Sequence, residues 1–304
     1  MQDKDISEKC LESFCDVFAD IVNGLLFNGE RILSEDALID AQSFSMFKNQ
    51  GHVRAQERDT AKYWIRADGQ SINFRLALLG VENQTAYDKD MPLRVISYDG
   101  AAYRSQLDRK ERYPVITLVL YFGDKRWGKN RSLYDAIQIP EILKPYVNDY
   151  KLHLFEIAYL TEDMIDRFTS DFRVVADYFV HRKTDPYYRP KDPVKFHHVD
   201  ELLQLMSALT NDQRFVETAQ MEGGKPENMC ELLDRIEAKG IKIGEAKGIK
   251  LGEAKGISIG LQRGTLRTLA ELVNDHILTP AEAAKRAGMT EKQFEREAAL
   301  AIQQ

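Results

Sequence analysis

Residues 57–84 read ERDTAKYWIRADGQSINFRLALLGVENQ, and the fold turns on this stretch. Lys62-Tyr63-Trp64-Ile65-Arg66 alternates in the manner of a strand. Ala67-Asp68-Gly69-Gln70 contains the Asp-Gly turn signal, and Ser71 to Val81 is a second extended run ending in LALLGV. Two extended runs about a turn predict a β-hairpin. Three polar residues gather at its open end. Asp59 stands where the first strand begins; Glu82 and Gln84 stand where the second finishes. Side chains two apart on a strand share a face, so Glu82 and Gln84 project together, and antiparallel pairing can bring Asp59 to the same edge.

Two carboxylates at one edge repel as bare anions. A divalent cation relieves the repulsion, and Mg²⁺ (or Mn²⁺) suits such oxygen ligands. Asp59 and Glu82 are therefore candidate metal ligands, and Gln84 a candidate to orient water or a phosphate oxygen. Glu12 and Asp16 are candidates for an additional acid. The bland alternatives are a solvated strand-end acid at Asp59 and a loop contact at Gln84. Glu82 follows an apolar run, where burial without a partner is costly. Asp88 and Asp90 read as caps of the following helix. Arg94 and Arg104 read as phosphate contacts or as solvated and ion-paired residues of a helix face.

Outward from the hairpin, Ile6 to Leu25 recur at three- and four-residue steps, predicting a helix over 5–27 that Asn28-Gly29 ends. Leu38 to Phe44 suggests a short strand. Residues 90–107 suit a helix with Pro92 in its first turn. Val115 to Phe122 is a β-branched apolar run of the kind found in a central strand, and Leu152 to Tyr159 a further strand. Helices are expected over 162–181, 193–209 and from 226. That order predicts a mixed α/β domain with a helical C-terminal extension.

The extension repeats. EAKGIKIG (237–244), EAKGIKLG (245–252) and EAKGISIG (253–260) place glycine at every fourth position from Gly240 to Gly264. Glu, Ala and Lys favour helix while each Gly disfavours it, so a helix that lets a partner approach and a flexible linker both fit. Thr279-Pro280 and Thr290…Gln293 mark two short helices with Gly288 between them, either a small hairpin or a helix-turn-helix. The domain reading is a 1–185 core, a 186–236 helical extension, a 237–264 repeat and a 265–304 hairpin.

Composition narrows the classes. The chain has 304 residues and a formal charge of −6, which excludes a basic coat but not a local basic groove. No run reaches the roughly 18 apolar residues of a membrane span. The polar start MQDKDISEKC lacks a secretory signal's pattern, and three cysteines without a CxxC pair predict a reducing, cytoplasmic setting without disulfides. His197-His198 has no Glu or Cys neighbour to complete a zinc set. Tyr187-Tyr188-Arg189-Pro190-Lys191 suits either stacking on bases or ordinary packing. No GxSxG, phosphate loop or dinucleotide fingerprint is present.

The words RDTAKYW, LLGVENQT and DKDMPLRVISYDGAAYR, between Arg58 and Arg104, resemble the PD-(D/E)XK nuclease superfamily. More narrowly they resemble the Rpn-type recombination-promoting nucleases, also described as PD-(D/E)XK family transposases. The resemblance implies an αβββαβ restriction-endonuclease-like core over the first two-thirds of the chain. It also implies metal-dependent DNA endonuclease activity and a role in recombination or mobile-element biology. Asp59, Glu82 and Gln84 match the family's acid and Glu-x-Gln positions in turn. Gln84 stands where the broad superfamily has lysine, so any charge on the transition state must come from the metal. The alternative is a catalytically inactive nuclease fold that binds DNA or protein. The repeat, where it is a helix rather than a linker, offers a homo-oligomer contact.

Overall fold

The structure is a computed structural model that describes residues 11–41, 44–49, 52–67, 73–190, 194–219 and 224–302. The hairpin is its centre. Strand β4 (Thr60–Ala67) pairs antiparallel with β5 (Asn73–Gln84), Thr60 opposite Val81 and Tyr63 opposite Leu78. The expected Asp-Gly turn lies outside the described residues. Strands β1 (Leu38–Asp40), β6 (Val115–Tyr121) and β7 (His153–Glu156) complete a five-stranded sheet in the order β1-β4-β5-β6-β7. β1 and β4 are antiparallel, whereas β5, β6 and β7 run parallel. A separate hairpin, β2 (Phe44–Asn49) with β3 (His52–Glu57), is inserted between β1 and β4.

A parallel pair needs a crossover, and helix α2 (Met91–Arg104), with Pro92 in its first turn, supplies it between β5 and β6. β6 is buried along nearly its whole length, as a central strand covered on both faces must be. The alternation on β5 sorts its side chains. Ala77, Leu79 and Val81 enter the main core with Leu118 and Leu120 of β6 and with helix α1 (Cys15–Leu25). On the other face Met91 and Val95 of α2 pack with Val119 and Tyr121. Leaving aside β2–β3, the succession α1, β1, β4, β5, α2, β6 is compatible with an α/β nuclease-like core, with β7 added at the edge.

Several elements differ from the sequence expectation. The helix expected over 5–27 is shorter: Phe14 is extended (φ −71°, ψ 132°), and residues 1–10 lie outside the described set. Asn28 and Gly29, both at positive φ, end it. The strand expected over 152–159 stops at Glu156, where Ile157–Tyr159 tightens into a 3₁₀ turn. The helix expected over 162–181 is two, α4 (Glu162–Ile165) and α5 (Phe172–Arg182). Between them Asp20 accepts from the Thr169 and Ser170 amides at 2.8 Å each, holding the chain off the helical path. Buried Asp171 likewise accepts from the amides of His197 and His198. Short α3 (Leu133–Ala136) lies between β6 and β7, and α6 (Val199–Thr210) adds Leu202, Leu205 and Met206 to the core. α7 (Arg214–Ala219) follows.

The chain forms two compact units, residues 1–236 and 237–304. The repeat is helical: α8 (Met229–Asn274) runs 46 residues without interruption. Residues 266–274 are its last part rather than a separate element. In the second unit Leu266, Leu269 and Ala270 of α8 pack on α9 (Pro280–Ala287) and α10 (Glu291–Ile302) through Ala283, Ala284, Phe294 and Ala298. Thr279 and Glu282 form a reciprocal capping box, and Gly288 (φ 72°) terminates α9. Thr290 and Gln293 repeat the box at α10, with Thr290 N donating at 3.1 Å and Thr290 Oγ1 accepting at 3.4 Å. No helix among the described residues is long and apolar enough to cross a membrane.

Candidate active site

Strand register assembles the site. Thr60 lies opposite Val81, so Asp59 stands one step further along, across from Glu82. The strand alternation carries Leu78, Gly80, Glu82 and Gln84 to the α2 face. Asp59 Oδ2 accepts from the Asn83 amide at 2.6 Å, which fixes the acid at the end of β5. Glu82 is 1% exposed. Its Oε1 accepts from Arg94 Nη2, from Gln84 Nε2 at 3.3 Å and from Tyr98 Oη at 3.5 Å. Its Oε2 is buried and has no hydrogen-bond partner. One oxygen of this carboxylate is thus used by three donors while the other is bare.

The electrostatics follow from that geometry. Burial, and then the negative charge of Asp59, push the Glu82 carboxyl up to about 8 despite the opposing pull of Arg94 and Arg58. Burial pulls the Arg94 guanidinium down, but Glu82 beside it, with Tyr98 and Asp88, holds it above its ordinary value. Burial and the Glu82 charge raise the Tyr98 hydroxyl to about 12. Arg94 and Tyr98 are four apart on α2, so a single helix face delivers both to Glu82.

A second layer lies under the sheet end. Arg58 is buried and pairs with buried Asp99, which also accepts from Thr117 Oγ1 at 2.7 Å and from Tyr150 Oη. Burial lowers the Arg58 guanidinium, with Asp99 opposing. Room for this arginine comes from Gly80, where a Cβ would stand 2.9 Å from Arg58 Cδ. Sequence reasoning did not single out Arg58, Tyr98, Asp99 or Tyr150. Only Tyr98 left a signal, its four-residue spacing from Arg94.

The structure brings together Asp59, Glu82, Gln84 and Arg94. Arg94 makes ion pairs with Glu82 and, at 3.1 Å, with Asp88. Asp88 Oδ1 accepts from the Asp90 amide at 2.9 Å, so it shapes the turn before α2. Glu12 is fully buried and accepts from Asn83 Nδ2 at 3.1 Å, a side chain that leaves β5 on the face opposite to Glu82. Asp16 belongs to a different group: it pairs with His198 Nε2 at 3.0 Å, and the His198 ring stacks on Phe14. The bend at Phe14 separates it from Glu12. Arg104 is exposed at the far end of α2, about 15 Å along the helix from Arg94. His197 faces Asp171 at 3.5 Å. Tyr188 stacks on His181, a packing role.

Among the described residues no group of three or more His, Cys, Asp or Glu is placed to hold a metal ion. A hard cation is nonetheless matched in chemistry by the Asp59–Glu82 pair, whose bare buried oxygen and mutual repulsion a positive charge would relieve. Comparison with curated proteins and with solved structures found no match. A family model does match, over residues 76–183, from within β5 to the end of α5. It includes Glu82, Gln84, Arg94, Tyr98 and Asp99, and begins after Asp59. Its description is "Putative transposase, YhgA-like", a family of the PD-(D/E)XK nuclease type, and residues 76–183 of the chain are similar to it.

Proposed function

We propose that the protein is a metal-dependent DNA endonuclease that hydrolyses phosphodiester bonds in recombination or mobile-element movement. The observation that carries the reading is the buried Glu82 carboxylate, opposite Asp59, with one oxygen lacking any partner. The αβββαβ succession and the family match agree with a PD-(D/E)XK core. Asp59 and Glu82 are the residues that would hold Mg²⁺ or Mn²⁺, and such an ion, when bound, supplies the positive charge that polarises a phosphodiester. Gln84 donates its amide hydrogen to Glu82, which leaves its carbonyl oxygen to orient a water. Arg94 and Tyr98 hold the other Glu82 oxygen in place. The exposed Ile241, Ile249 and Ile257 of the repeat are where copies of the chain would associate.

A second reading is a nuclease fold that binds DNA or protein without cutting. It is favoured by the Arg94–Glu82 pair, which already neutralises the acid. Plasmid nicking separates the two. The purified chain with Mg²⁺ or Mn²⁺ should convert supercoiled plasmid to the open circle, and Asp59→Ala should abolish this. Equal nicking by the Asp59→Ala protein defeats the site assignment, and no nicking by either protein under any divalent cation favours the binding reading.

A further inference from the structure

We infer that the loop from Gly123 to Arg131, together with Lys183, is the surface on which this protein seats the phosphate backbone of duplex DNA, and this inference rests on the nucleic-acid reading above. The loop reads GDKRWGKNR and places Lys125, Arg126, Lys129 and Arg131 in nine residues of a chain whose net charge is −6. All four are exposed, whereas Trp127 between them is buried. Trp127 is an anchor. Its ring meets Tyr121 at 4.9 Å and Tyr87 at 5.1 Å, both edge-on, and its Nε1 donates to Asn130 O at 3.0 Å. Its amide donates to Glu156 Oε1 at 2.7 Å. Asn130 Nδ2 donates to Lys89 O at 2.9 Å, which ties the loop to the turn before α2. The cations are therefore carried on a fixed frame rather than a loose tip.

The charges on that frame do not balance. One carboxylate, Glu156, serves both Arg126 at 3.2 Å and Arg131 at 2.9 Å. Arg126 also lies over the Tyr159 ring at 3.9 Å, and Lys183 lies over the same ring at 3.5 Å. Two cations on one ring repel, and a polyanion relieves that repulsion. Among the described residues Lys125, Lys129 and Lys183 form no ion pair with a carboxylate. This leaves three positive groups for phosphate.

Their position connects them with the candidate site. Gln84, Tyr121 and Glu156 lie in one register row across β5, β6 and β7. Two strand spacings, about 10 Å, separate the Gln84 end of that row from the Glu156 end that holds the arginines. Thr85, the next residue after Gln84, lines a cavity of about 300 Å³ together with Gly123, Asp124, Arg182 and Lys183. A backbone held along the loop thus runs past Gln84 and Glu82. Fixed lysines and arginines that neutralise phosphates bind by counterion release, without reading sequence.

The test is binding, kept apart from cutting. Full-length protein carrying Glu82→Gln would be titrated into a fluorescein-labelled 20-bp duplex in EDTA, and anisotropy followed from low to high salt. Adding Lys125→Ala, Lys129→Ala and Lys183→Ala together should weaken binding about tenfold or more and flatten the slope of log K against log salt by about 2 to 3. Arg109→Ala with Lys110→Ala, at the opposite end of β6, should leave both unchanged, and circular dichroism should show the same fold in all proteins. An unchanged slope in the triple variant overturns the inference, as does a parent that binds no duplex or prefers single-stranded RNA of the same length. Duplex binding through these lysines by the Glu82→Gln protein, with no plasmid nicking by the unsubstituted chain under Mg²⁺ or Mn²⁺, keeps the inference and defeats the nuclease reading; the reverse pattern keeps the nuclease and defeats the surface.

Discussion

At the scale of single residues, Glu82 carries the cost of burying a carboxyl beside another acid. An acid whose folded pKa is about 8, against 4.5 for an ordinary one, holds its proton more tightly when folded. Its contribution is therefore fully present below about pH 4.5 and is lost as the pH climbs through about 8. Thermal melts of the metal-free protein between pH 5 and 9 should show stability falling with a component that Glu82→Gln removes, the variant melting higher than the parent at pH 9. Parallel curves for the two proteins would mean that Glu82 ionises normally. Asp59, Glu82 and Gln84 were legible in the sequence because local rules govern them: alternation along a strand and antiparallel pairing of two neighbouring strands. Arg58, Asp99 and Tyr150 were not. Their bonds join residues 41 and 51 positions apart, and nothing local marks a buried arginine as paired. Gly80 shows the same limit, since its lack of a side chain acquires meaning only once Arg58 is seen against it.

At the scale of elements, β4, β5, β6 and the crossover helix could be read from pattern alone, because each carries its own periodicity, whereas the β2–β3 hairpin was not read. The errors fall where side chains cap backbone from a distance. Asp20 interrupts what the pattern presents as one helix over 162–181. The repeat was undecidable for a different reason. Glycine's penalty of roughly 1 kcal/mol against Ala opposes the preference of Glu, Ala and Lys, and the two nearly cancel. Its glycines have open space around them, and Ile241, Ile243, Ile249 and Leu251 are exposed. A second copy would bury them. Light scattering on the full chain should give a multiple of 34.9 kDa, whereas a chain ending at Ile236, which retains Leu232 and Ile236 in the first core, should run as a monomer. The same association number for both would remove the repeat from assembly.

At the scale of the whole molecule, two compact units divide the labour of folding. Residues 1–236 hold the sheet, the acids and the basic loop, and residues 237–304 carry the repeat and close a small core of their own. In the proposed function Asp59 and Glu82 of the first unit act together on a cation. Calorimetric titration of Mn²⁺ into the full-length protein measures this most directly. One site should appear in the parent and in Asp16→Ala, whose acid is committed to His198, and should vanish in both Asp59→Ala and Glu82→Gln. A site that survives both of the last two substitutions would contradict the account.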